Sequence, residues 1–256
     1  MREHSSKTRG QWAWNAAGMS TDRSSHRPRY GVDGPAVPVV NGAAGVACYL
    51  AATRLPRVRI PLAAAGTALL AFTGVYLHTT LRGKLRAWER ILDRAALKGD
   101  ERLLDLGCGR GAVLIAAARR LPAGQAVGAD LWSGKDQSGN HPAATLANAA
   151  AAGVADRVAV HTADITDLPY ADASFDVVTS ALVIHNIPTA EARYRAVDEA
   201  MRVLRPGGHL LLADIGPMTR RYAAHLGHGT LHDLGPGYWY GAPILGTTLL
   251  HAVKEP

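Results

Sequence analysis

The chain has 256 residues, 48% of them hydrophobic and 19% charged, with 27 Gly, 14 Pro and only two Cys. That length suffices for one domain with a sizeable core plus an appendage, and the composition excludes disulfide-stapled, collagen-like and wholly disordered chains. The net charge of +7 is unevenly placed: 13 of the 28 Lys and Arg but only 4 of the 21 Asp and Glu precede residue 91. The remaining body is slightly acidic, which argues against nucleic acid as a partner.

Residues 1–33 are rich in Ser, Arg, His and Gly without apolar periodicity, and read as a disordered basic arm. An uncharged stretch follows from Gly34 to Thr53, then a short link with Arg54, Arg57 and Arg59, then a second uncharged stretch from Ile60 to Leu81. The second is long enough to cross the hydrocarbon of a bilayer, which takes roughly 20 helical residues. Pro35, Pro38, Asn41 and many Ala and Gly weaken the first. Neither carries the charged face of a surface helix, so residues 34–83 are expected to form a transmembrane helical hairpin. Arg82, Lys84, Arg86 and Arg90 would form a basic collar, with Trp88 near the interface. The apolar run begins too far from the N-terminus for a secretory signal, and Cys48 lacks the upstream Leu of a lipid-modified bacterial Cys.

From about Trp88 apolar strands alternate with amphipathic helices, the pattern of an α/β domain with a largely parallel sheet. A leading helix is expected over Trp88–Leu97, a strand at Arg102–Leu106, a helix at Ala112–Leu121 and a strand at Ala126–Asp130. Next come a helix at Ala143–Ala152 and strands at Val158–Ala163 and Phe175–Ser180. A helix at Ala190–Leu204, a strand at His209–Asp214 and final strands near Thr230–Leu234 and Thr247–Lys254 complete the chain.

The first of these strands runs into Asp105-Leu106-Gly107-Cys108-Gly109-Arg110-Gly111, and a helix opens directly. Such glycines let a ligand approach the backbone, and a helix N-terminus offers unpaired N–H groups to an anion. Alone the pattern is ambiguous, because Gly107, Gly109 and Ala112 equally fit a dinucleotide fingerprint. Four further elements follow in order. Asp130 ends the second strand, where a carboxylate can accept both ribose hydroxyls. Asp164-Ile165 follows the third, where a carboxylate can pair with an adenine amino group. Phe175-Asp176-Val177-Val178 forms the fourth strand, and Arg205-Pro206-Gly207-Gly208 turns into the fifth.

LDLGCGRG, GAD, TADITDLPYADASFDVV and LRPGGHLLLAD together resemble the class I S-adenosylmethionine-dependent methyltransferases, particularly the small-molecule and ubiquinone-pathway subgroup. The resemblance covers about residues 84–216. It implies an α/β, Rossmann-like seven-stranded sheet flanked by helices, with the final strand antiparallel, and a methyltransferase domain over residues 84–256. It also implies that Asp105, Gly107, Gly109 and Gly111 hold the methionine end of S-adenosylmethionine, Asp130 the ribose, and Asp164 with Ile165 the adenine. Cys108, Leu131 and Ser180 join the cofactor set.

Two stretches depart from that pattern. A polar loop, Trp132 to Pro142, intervenes before the next helix and is a candidate lid or substrate-recognition loop. After Asp214 the chain is short and rich in His and Gly. His185, just past the fourth strand, is the candidate base for a hydroxyl acceptor, with Asn186 as its companion. His225, His228 and His232 have no Cys and only Asp233 beside them, so no metal is expected. The sequence thus points to methyl transfer to a small, apolar or lipid-like acceptor at the cell membrane. Basic residues at both ends of the hairpin, together with the cytosolic cofactor, put the domain on the cytoplasmic side, although the Arg link opposes this. A tethered cofactor-binding protein without turnover and an NAD(P)-dependent oxidoreductase are the rival readings.

Overall fold

A computed structural model of the protein describes residues 27–255, so most of the basic arm expected over residues 1–33 lies outside the described residues. Two helices, α1 (Ala36–Arg54) and α2 (Arg59–His78), form a hairpin, and α2 continues through a π-helical turn, Thr79–Gly83, into α3 (Lys84–Arg94). The body then runs β1 (Arg102–Leu106), α4 (Ala112–Ala118), β2 (Gln125–Asp130), α5 (Pro142–Ala151), β3 (Val158–Thr162), β4 (Phe175–Ala181) and α6 (Ala190–Val203). It closes with β5 (Leu204–Ile215), α7 (Gly216–Leu226), β6 (Thr230–Asp233) and β7 (Thr247–Val253). The strands form one sheet in the order β3-β2-β1-β4-β5-β7-β6. The first five are parallel, and β7 is antiparallel to both of its neighbours. This is the Rossmann-like seven-stranded sheet expected from the sequence.

The centre of the sheet follows from residue alternation. β1 is buried from Leu103 to Leu106 because helices cover both faces of a parallel sheet. Leu103 packs into a layer with Trp88, Leu92 and Leu114, whereas Leu104 joins Ala196, Val197 and Leu210 on the other side.

The structure corrects three expectations. The leading helix lies at Lys84–Arg94 rather than Trp88–Leu97, because Lys84, Ala87, Trp88, Ile91 and Leu92 form one buried helical face. Trp88 is therefore no interfacial anchor: it is buried, and its Nε1–H donates to the Tyr238 hydroxyl at 3.1 Å. Lys84 leaves the collar for the interior as well, while Arg82, Arg86 and Arg90 stay exposed. Thirdly, α7 fills the stretch after Asp214 where the family pattern blurs. Pro217 lies in its first turn and Gly227, at φ +76°, closes it.

In the hairpin, Pro38 sits in the first turn of α1, where a missing N–H costs little. Asn41 turns its amide back onto the Val37 carbonyl at 2.9 Å. The glycines that weakened the first stretch bring the helices together: a Cβ on Gly66 would lie 2.9 Å from the Gly45 carbonyl oxygen. Outer positions stay exposed, Val39 at 69% and Ile60 at 82%. By length and composition, both helices are long and apolar enough to cross a membrane. The lower end of α2 docks on the body, where Phe72 lies against Gly241 and Tyr76 meets the Tyr240 ring edge-on at 5.2 Å between centroids.

Candidate active site

Strand order reverses between β1 and β4, and in open α/β sheets the crevice beyond the strand ends at such a point takes ligands. Gly107, Gly109 and Gly111 all have positive φ, +66°, +51° and +85°, which turns β1 sharply into α4. A Cβ on Gly107 would lie 2.3 Å from the Val183 side chain, so glycine is also required for space. The turn is tied to β2, since the Gly109 N–H donates to Asp130 Oδ2 at 2.8 Å. Asp130 Oδ1 accepts from the Trp132 N–H and from Asn140 Nδ2, the latter at 3.2 Å.

A cavity of about 490 Å³ opens above these strand ends. Asp105, Gly107, Cys108 and Gly109 line one side, Asp130 and Leu131 the next, and Asp164 with Ile165 the third, so eight of the ten expected cofactor residues converge there. Asn186 also lines it, whereas Gly111, Ser180 and His185 do not. Gly111 is the N-cap of α4, and Ser180 is buried in β4 between Leu106 and Leu212 of the neighbouring strands.

Burial sets the local electrostatics. It pushes the Asp105 carboxyl up to about 7, even though the Thr179 hydroxyl donates to it at 2.8 Å. Burial also drives the Cys108 thiol well up, reinforced by Asp105 and Asp130, so Cys108 serves packing as a neutral thiol. Asp164 is exposed; its Oδ1 accepts from the Thr166 N–H and hydroxyl at 2.9 and 2.8 Å, which makes it a turn cap as well as a cavity wall.

The residues fit a nucleoside with a charged amino-acid tail. Asn140 lines the cavity beside Asp130, and its Oδ1 is buried without a hydrogen-bond partner, an acceptor suited to a ribose hydroxyl. Leu182 in the cavity wall, at φ +59°, and Trp132, between the lining residues Leu131 and Ser133 and at φ +61°, hold left-handed backbone of the kind that concentrates at functional sites.

Three wall residues lie outside the sequence motifs. Asp33, Lys84 and Gln137 all face the cavity. Residues 29–33, expected in the disordered arm, instead run alongside the polar loop together with Gly34. Val32 and Ser138 exchange hydrogen bonds, the Gly34 N–H donates to the Asp136 carbonyl at 2.8 Å, and Asp33 bridges to Gln137. Lys84 donates to both Asp33 oxygens at 2.5 and 2.7 Å, and Tyr240 OH donates to Oδ2 at 2.7 Å. Burial, the largest single influence, raises the Asp33 carboxyl, but the Lys84 ammonium and the hydrogen bonds from Lys84, Tyr240 and Thr80 together outweigh it and hold the group below the usual carboxylate range. The loop from Trp132 to Pro142 is therefore pinned, with Ser133, Asp136, Gln137 and Asn140 facing the cavity. No sequence signal links Asp33 to this site; an acid isolated in a basic segment is the nearest hint.

His185 sits in the short 3-10 turn Ile184–Asn186, next to Asn186 of the cavity lining but not itself part of that lining. Its Nδ1 lies 2.6 Å from Oδ1 of the buried Asp214, and its N–H donates to Oδ2 at 3.1 Å. With Nδ1–H given to Asp214, Nε2 is the basic nitrogen. The histidines in the last turn of α7 and beyond it serve separate partners: His225 Nε2 meets Asp198 at 2.7 Å, His228 Nδ1 the Leu226 carbonyl, and His232 the Thr230 hydroxyl.

Residues 104–212 match a family model described as a methyltransferase domain. The chain is 38% identical over 134 residues to the 27-O-demethylrifamycin SV methyltransferase of Amycolatopsis mediterranei, covering 50% of this chain and 45% of that protein. It is 33% identical to the ubiquinone/menaquinone biosynthesis C-methyltransferase of Roseobacter denitrificans, covering 52% and 50%. The chain thus spans about half the length of the curated relatives it matches. In fold it is similar to the geranyl diphosphate C-methyltransferase of Streptomyces coelicolor A3(2), with a TM-score of 0.52 at 17% identity over 65% of this chain and 76% of that one.

Proposed function

We propose that the protein, whose residues 104–212 match a methyltransferase domain, transfers a methyl group from S-adenosylmethionine to a small apolar or lipid-like acceptor held at a membrane. The observation carrying this reading is the division of the cavity into unlike halves. Asp105, Asp130 and Asn140 make a polar half, whereas Leu182, Val183, Ile187, Pro188 and Ala192 make a mainly apolar half in which Asn186 and Arg195 are the polar side chains. The polar half suits the amino-acid and ribose ends of the cofactor, and the apolar half suits an acceptor with little polarity to satisfy. The hairpin stands at the foot of the same cavity through Asp33 and Lys84. Two relatives carry the names of a 27-O-demethylrifamycin SV methyltransferase and a ubiquinone/menaquinone biosynthesis C-methyltransferase, consistent with acceptors of that class.

S-adenosylmethionine, when bound, supplies a methyl carbon activated by the sulfonium, so the protein's task is to orient, desolvate and move protons. In this reading Asp130 and Asn140 hold the ribose hydroxyls, and Asp164 and Ile165 flank the adenine. Asp105 balances the ammonium of the methionine end. Asn186 orients the acceptor from the cavity wall, and His185, aligned by Asp214, accepts the acceptor's proton at Nε2. Cytoplasmic placement of the domain follows from the location of the cofactor pool and from the basic flanks of the hairpin.

The test is incubation of the full-length chain in detergent with methyl-labelled S-adenosylmethionine and a panel of apolar hydroxylated and quinol acceptors. Transfer is expected, with His185→Ala lowering turnover by roughly 10² to 10⁴ while cofactor affinity stays unchanged. Cofactor binding without transfer to any acceptor would favour a tethered binding protein. Binding of NAD(P) instead would favour an oxidoreductase.

A further inference from the structure

The hairpin and the cofactor half of the cavity are joined by hydrogen bonds running through two side chains. Gln137 donates from Nε2 to Asp33 Oδ1 at 3.1 Å, and its Oε1 accepts the Arg110 N–H at 2.7 Å. Asn148 accepts the Arg29 N–H at 2.9 Å, and from Nδ2 donates to the Arg29 carbonyl at 3.0 Å and to the Arg110 carbonyl at 2.9 Å. The N–H and the carbonyl of Arg110, inside the glycine turn, are thus both held by side chains that also hold the segment 29–33. That segment is in turn fixed by the hairpin: the Tyr76 hydroxyl donates to the Asp33 carbonyl at 2.9 Å, and the Asp33 N–H to Thr80 Oγ1 at 2.9 Å. Lys84, where the hairpin enters the body, closes the ring on the Asp33 carboxylate. The fit leaves little slack. A Cβ on Gly109 would lie 2.3 Å from Gln137 Oε1, and one on Gly31 would lie 2.7 Å from the Ser138 carbonyl.

We propose that Gln137 and Asn148 are positioning residues for cofactor binding, which set the glycine turn according to the seating of segment 29–33 on the hairpin. The membrane-directed hairpin is then an energetic part of the cofactor site and not a passive tether. A turn whose backbone N–H and C=O groups are fixed in advance binds its ligand without being ordered anew. Unseating the segment frees the Arg110 backbone and weakens cofactor binding. By reciprocity, cofactor binding tightens the segment and the lower end of α2. Removal of residues 1–83 would therefore take away the Asp33 half of the device, and such a truncated domain is not equivalent to the intact one.

The inference rests on the cofactor assignment made above, and the experiment separates the two. Calorimetric titration of the full-length chain in detergent with S-adenosylmethionine, if it gives no binding, overturns the cofactor assignment itself. If the wild-type protein binds, Asp33→Asn and Gln137→Ala are each expected to raise Kd about tenfold, the scale of one lost buried hydrogen bond. The double variant should be no weaker than Gln137→Ala alone, because both act through one path. Unchanged affinities, or losses that multiply, overturn the inference. Should either variant fold poorly, hydrogen exchange of the wild-type protein decides. Added cofactor is expected to slow exchange in residues 29–34 and 76–84, and protection confined to the glycine turn and residues 130–140 and 164–166 overturns the coupling.

Discussion

Two walls of one cavity are built in opposite ways. The wall made by Asp105, the glycine turn, Asp130 and Asp164 comes from strand ends, and each of its residues follows an apolar run in the sequence. The wall made by Asp33, Lys84 and Gln137 comes from the segment 29–33, a helix start and a loop, 104 positions apart at the extreme. The first is positioned by sheet register, which fixes side chains to within a residue. The second is positioned by side chains reaching one another, which no local periodicity encodes. A site can therefore be legible on the face proposed to bind the cofactor and illegible on the face built from residues distant in sequence.

The largest expected effect falls on the strand-end wall. Asp130→Ala removes the acceptor of the Gly109 N–H and of Asn140, so cofactor affinity should fall on the order of 100-fold in calorimetric titration. If it falls less than Asp33→Asn does, the division between a primary and a supporting wall is wrong. Next comes Gly107→Ala, where a methyl would meet Val183 at φ +66°. A loss of about 2–3 kcal/mol in denaturant unfolding is expected, and a neutral result would show that the turn is not sterically fixed.

The third effect is one of pH. Burial lifts the Asp105 carboxyl to about 7, so the folded apo protein binds a proton that the unfolded chain releases in the ordinary carboxylate range. Its contribution to stability is therefore present at low pH and fades as pH rises through about 7. An ammonium brought by the cofactor favours the carboxylate, so affinity should rise about eightfold from pH 6 to pH 7.5. Asp105→Asn should flatten the profile. The smallest effect belongs to the hairpin-side wall: Tyr76→Phe removes the bond to the Asp33 carbonyl and should cost about 1 kcal/mol in thermal unfolding.

Much of the body was readable because parallel strands covered on both faces must be apolar runs, and glycines at positive φ punctuate them. Arg102–Leu106 has the bounds expected of it, and the other strands lie within a residue of theirs, except β5. That strand begins at Leu204 rather than His209 because residues 205–208 bulge within it instead of preceding it. α7 was missed because its signals, Gly216-Pro217 and Gly227, flank a stretch with three basic residues among its eleven. Trp88 was misplaced because an aromatic beside arginines reads the same at a bilayer surface and in an amphipathic helix. Only the burial of Ala87, Ile91 and Leu92 around it decides. Asp33 was assigned to the arm because the residues that order it, Thr80, Lys84, Gln137 and Tyr240, are distant in sequence.

The central claim is that this cavity methylates an apolar acceptor delivered at a membrane. It is tested most directly by reconstituting the full-length chain into phospholipid vesicles loaded with a bacterial lipid extract and adding methyl-labelled S-adenosylmethionine from outside. Label should pass into the organic-soluble fraction in a time-dependent way, and Asp130→Ala should abolish the transfer. If the protein binds the cofactor but label reaches only water-soluble acceptors, the account is contradicted.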